Sequence, residues 1–237
     1  MRYFLVISYD GSKFYGFQRQ NNLQSVQNEI EKKLSKIFDE EVLIKGAGRT
    51  DRGVHAKGQC LHFDSDKNFK PSFLKKTLND NLVNIHVKKC RIVSDDFHAR
   101  FSVKKKHYQY VITFNKDEYN SDYMYYHNKL DISKMKKASK LFLGVHNFQN
   151  FVSGIRDDYT CIIYKIKFVY FNKHLTIHFY GKSFYRYMVR NLVGALVDVG
   201  KGKASNEDIL RLLNGEKTDK MLSTAPAKGL TLLKIYY

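Results

Sequence analysis

Residues 2–9 (RYFLVISY) are β-branched and aromatic, a pattern that predicts a strand. A polar loop containing glycine follows. Val26, Ile30, Leu34 and Ile37 then recur at intervals of four, four and three, which predicts one face of a helix from about Ser25 to Phe38. Ser25 is placed to cap that helix, because its hydroxyl can take an N–H left open in the first turn. Residues 42–46 and 59–63 predict short strands on either side of the loop AGRTDRGVHAKG. Pro71 opens a second helix, to about Asn79, at a position where a missing N–H costs nothing. Residues 85–93 (IHVKKCRIV) close this half as a strand.

The same order then recurs. Tyr108, Tyr110, Ile112 and Phe114 share one face of a strand over 107–114, and Ile132, Met135, Leu141 and Phe142 mark a helix. Residues 161–171 and 174–180 predict strands. In the latter, Leu175, Ile177 and Phe179 alternate with His174, Thr176 and His178. A helix from Tyr185 to Val199 carries Met188, Val189, Leu192, Val193 and Leu196 on its apolar side, with Gly200 placed to end it. Ser205 and Asp208 fit a capping box for a short additional helix, and GLTLLKIYY is the last strand. Each half therefore reads β-α-β-β-α-β, the ferredoxin-like or split βαβ order that RNA-recognition domains also use. The expectation is an α+β chain of two such halves, 1–104 and 105–237, each an antiparallel sheet backed by helices, with the two sheets packed together. Two prolines and no Gly/Ser-rich stretch argue against a flexible linker.

Composition narrows the class. Over 237 residues, 43% hydrophobic and 27% charged side chains exclude a wholly disordered chain. No run approaches the ~18 apolar residues of a membrane span, and the apolar start is too short for a signal peptide. Cys60, Cys90 and Cys161 lie far apart with no CxxC, which predicts reduced thiols in a cytoplasmic protein. Lys and Arg number 41 against 23 Asp and Glu, a net charge of +18. The excess is spread over both halves rather than held in a tail. Distributed positive charge favours a polyanion partner, nucleic acid by default, over a merely Lys-rich surface.

One segment stands out for chemistry. In GAGRTDRGVHAKGQ, four glycines (Gly46, Gly48, Gly53, Gly58) surround Asp51, with Arg49 and Arg52 on either side. So many glycines between two strands indicate a tight loop whose backbone approaches something closely. The segment lacks the GK[ST] of a Walker loop, and it lacks the third glycine and long helix of a dinucleotide fingerprint. A carboxylate beside two guanidiniums is held ionised, as a nucleophile or base requires. A structural Asp–Arg pair in a glycine-rich hairpin fits these residues equally well.

Five segments carry a resemblance. DGSKFYGFQRQ (10–20), GAGRTDRGVH (46–55), DFHARFSVKKKHYQY (96–110), YMVRN (187–191) and APAKGL (225–230) are similar, in order and at compatible spacing, to motifs of the TruA family of tRNA pseudouridine synthases. The resemblance implies the pseudouridine synthase fold, and isomerisation of uridine to pseudouridine at positions 38, 39 and 40 of the tRNA anticodon stem-loop. It implies no metal or organic cofactor. It implies Asp51 as nucleophile, Tyr108 in contact with the target base, Arg190 beside the nucleophile and Leu230 packed against the base. It also implies a homodimer, and a stem-loop wider than one half gives two subunits a reason to share the grip. The expected partner is therefore tRNA, not DNA or a membrane. A flipped base leaves a gap in its helix, and Arg49 is a candidate to fill it. The chain departs from the family at Arg52, where Ala is common, at Phe17, where Trp is common, and at Arg186 and Tyr187, in YRYMVRN where the family has HHMVRN. Arg52 and Arg186 are thus candidates for altered RNA contacts.

The remaining features are weaker. His174 and His178 share a strand face, but no third metal ligand accompanies them, and an exposed face is the expectation. Lys104, Lys105 and Lys106 are expected at phosphates rather than in a merely solvated turn. Loop 11–20, with Lys13, Arg19 and three aromatics, is expected to be an RNA-contacting arm rather than core. A non-catalytic tandem RNA-recognition protein would carry the K/R-G-F/Y-G/A-F signature, which is missing. A dinucleotide oxidoreductase would carry GxGxxG opening a long helix.

Overall fold

The computed structural model describes residues 1–216 and 222–237. The chain forms two compact units, residues 1–104 with 231–237, and residues 105–230. The first unit runs β1 (Arg2–Tyr9), α1 (Val26–Phe38), β2 (Lys45–Gly46), β3 (His55–Asp64), α2 (Pro71–Asn81) and β4 (Ile85–Val93). β1 lies between β4 and β3, antiparallel to both, and β2 adds to β3. This is the split βαβ arrangement. Ser25 caps α1 by accepting the Asn28 N–H at 3.3 Å. The buried face of α1 is Val26, Ile30, Leu34 and Phe38, with Phe38 rather than Ile37 completing the stripe. Phe38 meets Tyr3 and Phe63 edge-on, and those two rings stack at 5.1 Å in the core.

The second unit runs β5 (Lys105–Thr113), β6 (Tyr125–Tyr126), α3 (Ile132–Ser139), β7 (Gly144–Asn147), β8 (Thr160–Phe171), β9 (His174–Gly181), α4 (Met188–Gly200) and α5 (Asn206–Leu213). β9 pairs antiparallel with β5 and β8, β7 adds to β8, and β6 adds parallel to β5. Tyr110, Ile112, Leu175, Ile177 and Phe179 form one fully buried sheet face, and Leu192, Val193 and Leu196 of α4 are buried too. The short strands β6 and β7 carry no two-residue alternation long enough to be predicted.

Three expectations need correction. The last strand, β10 (Leu230–Tyr236), was expected to close the second half, yet residues 231–237 belong to the first unit. Thr231 and Leu232 pair in parallel with His55 and Ala56 of β3. Hydrophobic pattern identifies a strand but not its partner. Gly58 permits the approach, since a Cβ there would sit 2.4 Å from the Leu233 carbonyl oxygen. Gly200 does not end α4 by turning left-handed. It is the last helical residue, and a Cβ there would lie 2.9 Å from Met135 Cγ, so it serves close helix packing; Gly202, at φ +73°, makes the left-handed turn. Finally, α4 begins at Met188, three residues later than expected, behind Tyr187 in the left-handed region at φ +64°.

Candidate active site

Asp51 lies in the loop between β2 and β3 and opens a tight turn, in which the Val54 N–H donates to the Asp51 carbonyl at 3.1 Å. Gly53 takes φ +78° there, a conformation an L side chain resists. The residue before the aspartate is anchored deeply. Thr50 Oγ1 is 2.8 Å from the buried Tyr9 hydroxyl, and the Thr50 carbonyl accepts the Phe17 N–H at 3.0 Å. Burial pushes the Tyr9 phenol up to about 12, with the Thr50 and Gln59 hydrogen bonds opposing that rise. Tyr9 is therefore a neutral hydrogen-bonding post. On the incoming side, Gln59 Nε2 donates to the Gly48 carbonyl at 2.9 Å, and the Ala47 N–H reaches the Cys60 carbonyl at 2.8 Å. Asp51 itself is half-buried, while Arg49 and Arg52 are exposed.

The segment DGSKFYGF supports this turn from below. A Cβ on Gly11 would fall 2.1 Å from the Val54 carbonyl oxygen, so that chain crossing requires glycine. Gly16, at φ +101°, also lies close to the Thr50 carbonyl oxygen, 3.0 Å from such a Cβ. His55 Nδ1 accepts the Gly11 N–H at 3.1 Å. The Phe17 ring fills the space over Gly46, where a Cβ would be 2.5 Å from Cε1. Phe14 and Phe17 are buried, so part of loop 11–20 is core, where an RNA-contacting arm rather than core was expected. Its polar residues are outward and two of its three aromatics, Phe14 and Phe17, inward, a division that a mixed loop sequence conceals. Tyr15 remains exposed, with the Arg52 guanidinium 4.3 Å from its ring centroid. Arg19 pairs with Glu31 at 3.3 Å.

Tyr108, Arg190 and Leu230 belong to the second unit. Tyr108 is buried on β5, edge-on to Phe184 at 5.2 Å. Two residues along the same strand face, the Tyr110 hydroxyl donates to the Pro226 carbonyl at 2.7 Å, and burial pushes its phenol well above the usual range. Gly229 packs on that ring, since a Cβ would lie 2.6 Å from Tyr110 Cζ, and the buried Leu230 follows directly.

Arg190 sits in the first turn of α4. Its Nε donates to the Ala225 carbonyl at 2.8 Å, and its own carbonyl accepts the Ala225 N–H at 3.1 Å. The guanidinium lies 4.5 Å from the Tyr187 ring centroid, where the quadrupole attracts a cation. One and two turns further along the same helix face, Gly194 and Asp198 receive the segment STA (223–225). A Cβ on Gly194 would overlap the Ser223 carbonyl oxygen at 1.5 Å. Asp198 accepts both the Ser223 N–H (2.7 Å) and hydroxyl (2.9 Å), and Asn191 Oδ1 accepts the Thr224 hydroxyl at 2.7 Å. Thus Tyr110, Arg190, Asn191 and Asp198 hold one segment, 223–226, that leads into Leu230.

The structure joins Arg49 and Asp51 in one loop, and links Arg190 and Leu230 through the segment that Tyr110 also holds. Sequence reasoning missed Tyr9, Thr50, Tyr187, Asn191 and Asp198. An i, i+4, i+8 spacing of Arg190, Gly194 and Asp198 is the one signal that could have found the helix face; nothing in the sequence shows that Tyr187 is left-handed. Of the three lysines expected at phosphates, Lys105 and Lys106 start β5 and Lys106 is buried, which goes against a phosphate contact there; Lys104 is the exposed member. His174 and His178 are half-buried rather than exposed. His174 Nε2 meets Glu118 Oε2 at 2.7 Å, and His178 Nδ1 meets His107 Nε2 at 3.0 Å. Among the described residues no three His, Cys, Asp or Glu side chains are grouped to hold a metal ion.

A family model described as tRNA pseudouridine synthase matches residues 5–102 and 138–237. These include Asp51, Arg190 and Leu230; Tyr108 falls between them. The chain is 43% identical to a tRNA pseudouridine synthase A of Dictyoglomus thermophilum, covering 98% of this chain and 97% of that protein. It is 43% identical to one from Listeria monocytogenes serotype 4a, over 100% and 99% of the two chains. It is 38% identical to one from Aster yellows witches'-broom phytoplasma, over 99% and 98%. Among solved structures, a chain of an H/ACA RNP bound to a substrate RNA containing 2′-deoxyuridine aligns with TM-score 0.40 at 14% identity, covering 83% of this chain and 44% of that one.

Proposed function

We propose, for a chain that belongs to the tRNA pseudouridine synthase family, that Asp51 is the nucleophile of the reaction and that the substrate is the tRNA anticodon stem-loop. The chain is an isomerase that converts uridine to pseudouridine in tRNA. That conversion breaks C1′–N1, turns the uracil over and joins C1′ to C5. A proton leaves C5 and one is taken up at N1, so the atoms balance without redox chemistry or phosphate transfer. A carboxylate that bonds transiently to the target nucleotide splits this into two easier steps. The observation that carries the assignment is the turn itself: Asp51 follows a residue pinned to Tyr9, over a backbone crossing that only Gly11 allows. Catalytic carboxylates need such fixed support.

In this reading Arg190 keeps the nucleophile ionised and oriented, Tyr108 and Leu230 contact the target base, and exposed Arg49 props the gap left by the flipped nucleotide. Positions 38, 39 and 40 are the proposed targets, and two subunits share one stem-loop as a homodimer. Incubating the pure protein with unmodified tRNA and mapping pseudouridine tests the assignment. Product at 38–40 is expected, and product elsewhere in the tRNA overturns the stem-loop proposal. A monomer by light scattering at micromolar concentration overturns the dimer.

A further inference from the structure

The segment FHARFS (97–102) carries an exposed aromatic side chain that the proposed chemistry does not use. Phe101 is 76% exposed, although it sits in a loop fixed at almost every backbone group. The His98 N–H donates to Ser102 Oγ at 3.0 Å, and the Ser102 N–H returns to the His98 carbonyl at 2.9 Å. His98 Nδ1 accepts the N–H groups of Arg100 (3.1 Å) and Phe101 (3.3 Å). Between them Ala99 is buried, its N–H on His62 Nδ1 at 3.1 Å and its carbonyl on the Tyr237 hydroxyl at 2.8 Å. Arg2 clamps the approach to the loop. It pairs through two nitrogens with Asp64, and also donates to the carbonyls of Asp95 and Phe97.

The rings continue this order outward. His62, fully buried, is edge-on to His98 at 4.6 Å, and His98 lies against Phe101 at 4.3 Å. The Arg100 guanidinium stands 5.7 Å from the Phe101 centroid. Both histidines are held neutral, first by burial and then by the surrounding cations, among them Lys45 and Arg2. A rigid, exposed ring backed by neutral aromatics and flanked by the exposed Arg100 guanidinium suits a π-face with a negative charge beside it. An unpaired nucleotide has that combination. A scattered exposed aromatic needs no explanation; one placed by this many hydrogen bonds does.

We propose that Phe101 is a stacking platform for an unpaired base of the RNA substrate, with Arg100 meeting the adjacent phosphate. The proposal rests on the tRNA reading above and adds a binding position separate from the reacting carboxylate.

The chain has no tryptophan, so Phe101→Trp introduces a single fluorescent reporter that keeps the stacking surface. Its emission is expected to be quenched when tRNA is added, at an affinity close to that of the unmodified chain. Phe101→Ala is expected to weaken tRNA binding by roughly 5- to 100-fold, the usual cost of one lost base–aromatic stack, with kcat at saturating tRNA within about twofold. Arg100→Gln should flatten the salt dependence by about one phosphate contact. Unchanged tRNA affinity in Phe101→Ala overturns the proposal, as does tryptophan emission that tRNA leaves untouched. Emission that changes with protein concentration alone, before tRNA is added, also overturns it, because the occupant is then a second copy of the chain. Pseudouridine formation by the unmodified chain is measured in parallel. Its absence would fault the tRNA reading, whereas its presence with an indifferent Phe101 would fault the platform alone.

Discussion

The Tyr9 hydroxyl and Thr50 Oγ1 meet at 2.8 Å in a buried contact, one residue before Asp51. Tyr9 ends β1 and its strand partner across the ladder is Ala56, just past the Asp51–Val54 turn. This hydrogen bond ties the sheet core to the residue that precedes the nucleophile. Tyr9→Phe leaves Thr50 without that partner. We expect a loss of about 1–3 kcal/mol in denaturant unfolding, and a fall in kcat with tRNA affinity little changed. Equal kcat in the variant would detach the contact from function.

Gly11 and Gly154 make a paired test of why glycine is required. At Gly11 a Cβ would strike the Val54 carbonyl oxygen at 2.1 Å, whereas at Gly154 (φ +95°) nothing lies within 4 Å. Gly154→Ala should cost only backbone strain, about 1–2 kcal/mol. Gly11→Ala must displace the turn that carries Asp51, so activity should fall far more than melting temperature. Parallel losses of activity in the two variants would count against the cradle.

Much of this was legible in the residues. The alternation in 174–180 gave β9 and its buried Leu175, Ile177 and Phe179, and the spacing from Val26 marked α1 with its Ser25 cap. The glycines of 46–58 announced close backbone approach, and the structure supplies the partners. What stayed hidden depends on contacts distant in sequence. The pattern of GLTLLKIYY does not say that its strand joins β3. Phe14 and Phe17 sit in a polar loop, yet pack inward because the Asp51 turn needs a floor. The left-handed Tyr187 is unreadable because no tyrosine favours that conformation; its ring pays that strain by stacking under Arg190.

Acid should unfold the first unit through His62. Burial lowers this imidazole from 6.5 to about 4, helped by His98 and Arg2. The unfolded chain then binds a proton near pH 6.5 that the folded chain refuses until about pH 4. Stability from this group is complete above pH 6.5 and declines as pH falls toward 4, by at most about 3 kcal/mol. Urea midpoints measured across that window should fall in the unmodified chain and stay flatter in His62→Gln. The same slope in both would assign the acid sensitivity to other groups.

Arg190→Lys keeps the charge but loses the Nε–H that reaches the Ala225 carbonyl and the planar group stacked on Tyr187. kcat should drop by about 10- to 100-fold, the rate equivalent of one charge-assisted hydrogen bond. Binding of tRNA in a filter assay should change less than fivefold. A loss confined to binding would make Arg190 a phosphate contact instead.

Asp51→Asn tests the central claim. The substitution keeps size and shape while removing the charge and the attacking oxygen. Thr50 offers only a hydroxyl already engaged by Tyr9, and His55 is committed to the Gly11 N–H, so no substitute nucleophile stands in the turn. The measurement is tritium release from tRNA carrying uridine labelled at C5, with tRNA binding followed on the same preparation. Loss of a general acid or base would cost ~10²–10⁴ in rate. Loss of the nucleophile should instead abolish release, while binding persists or tightens as repulsion of the phosphates is relieved. Release above about one per cent of the normal rate, within that acid–base range, would show that another group performs the chemistry.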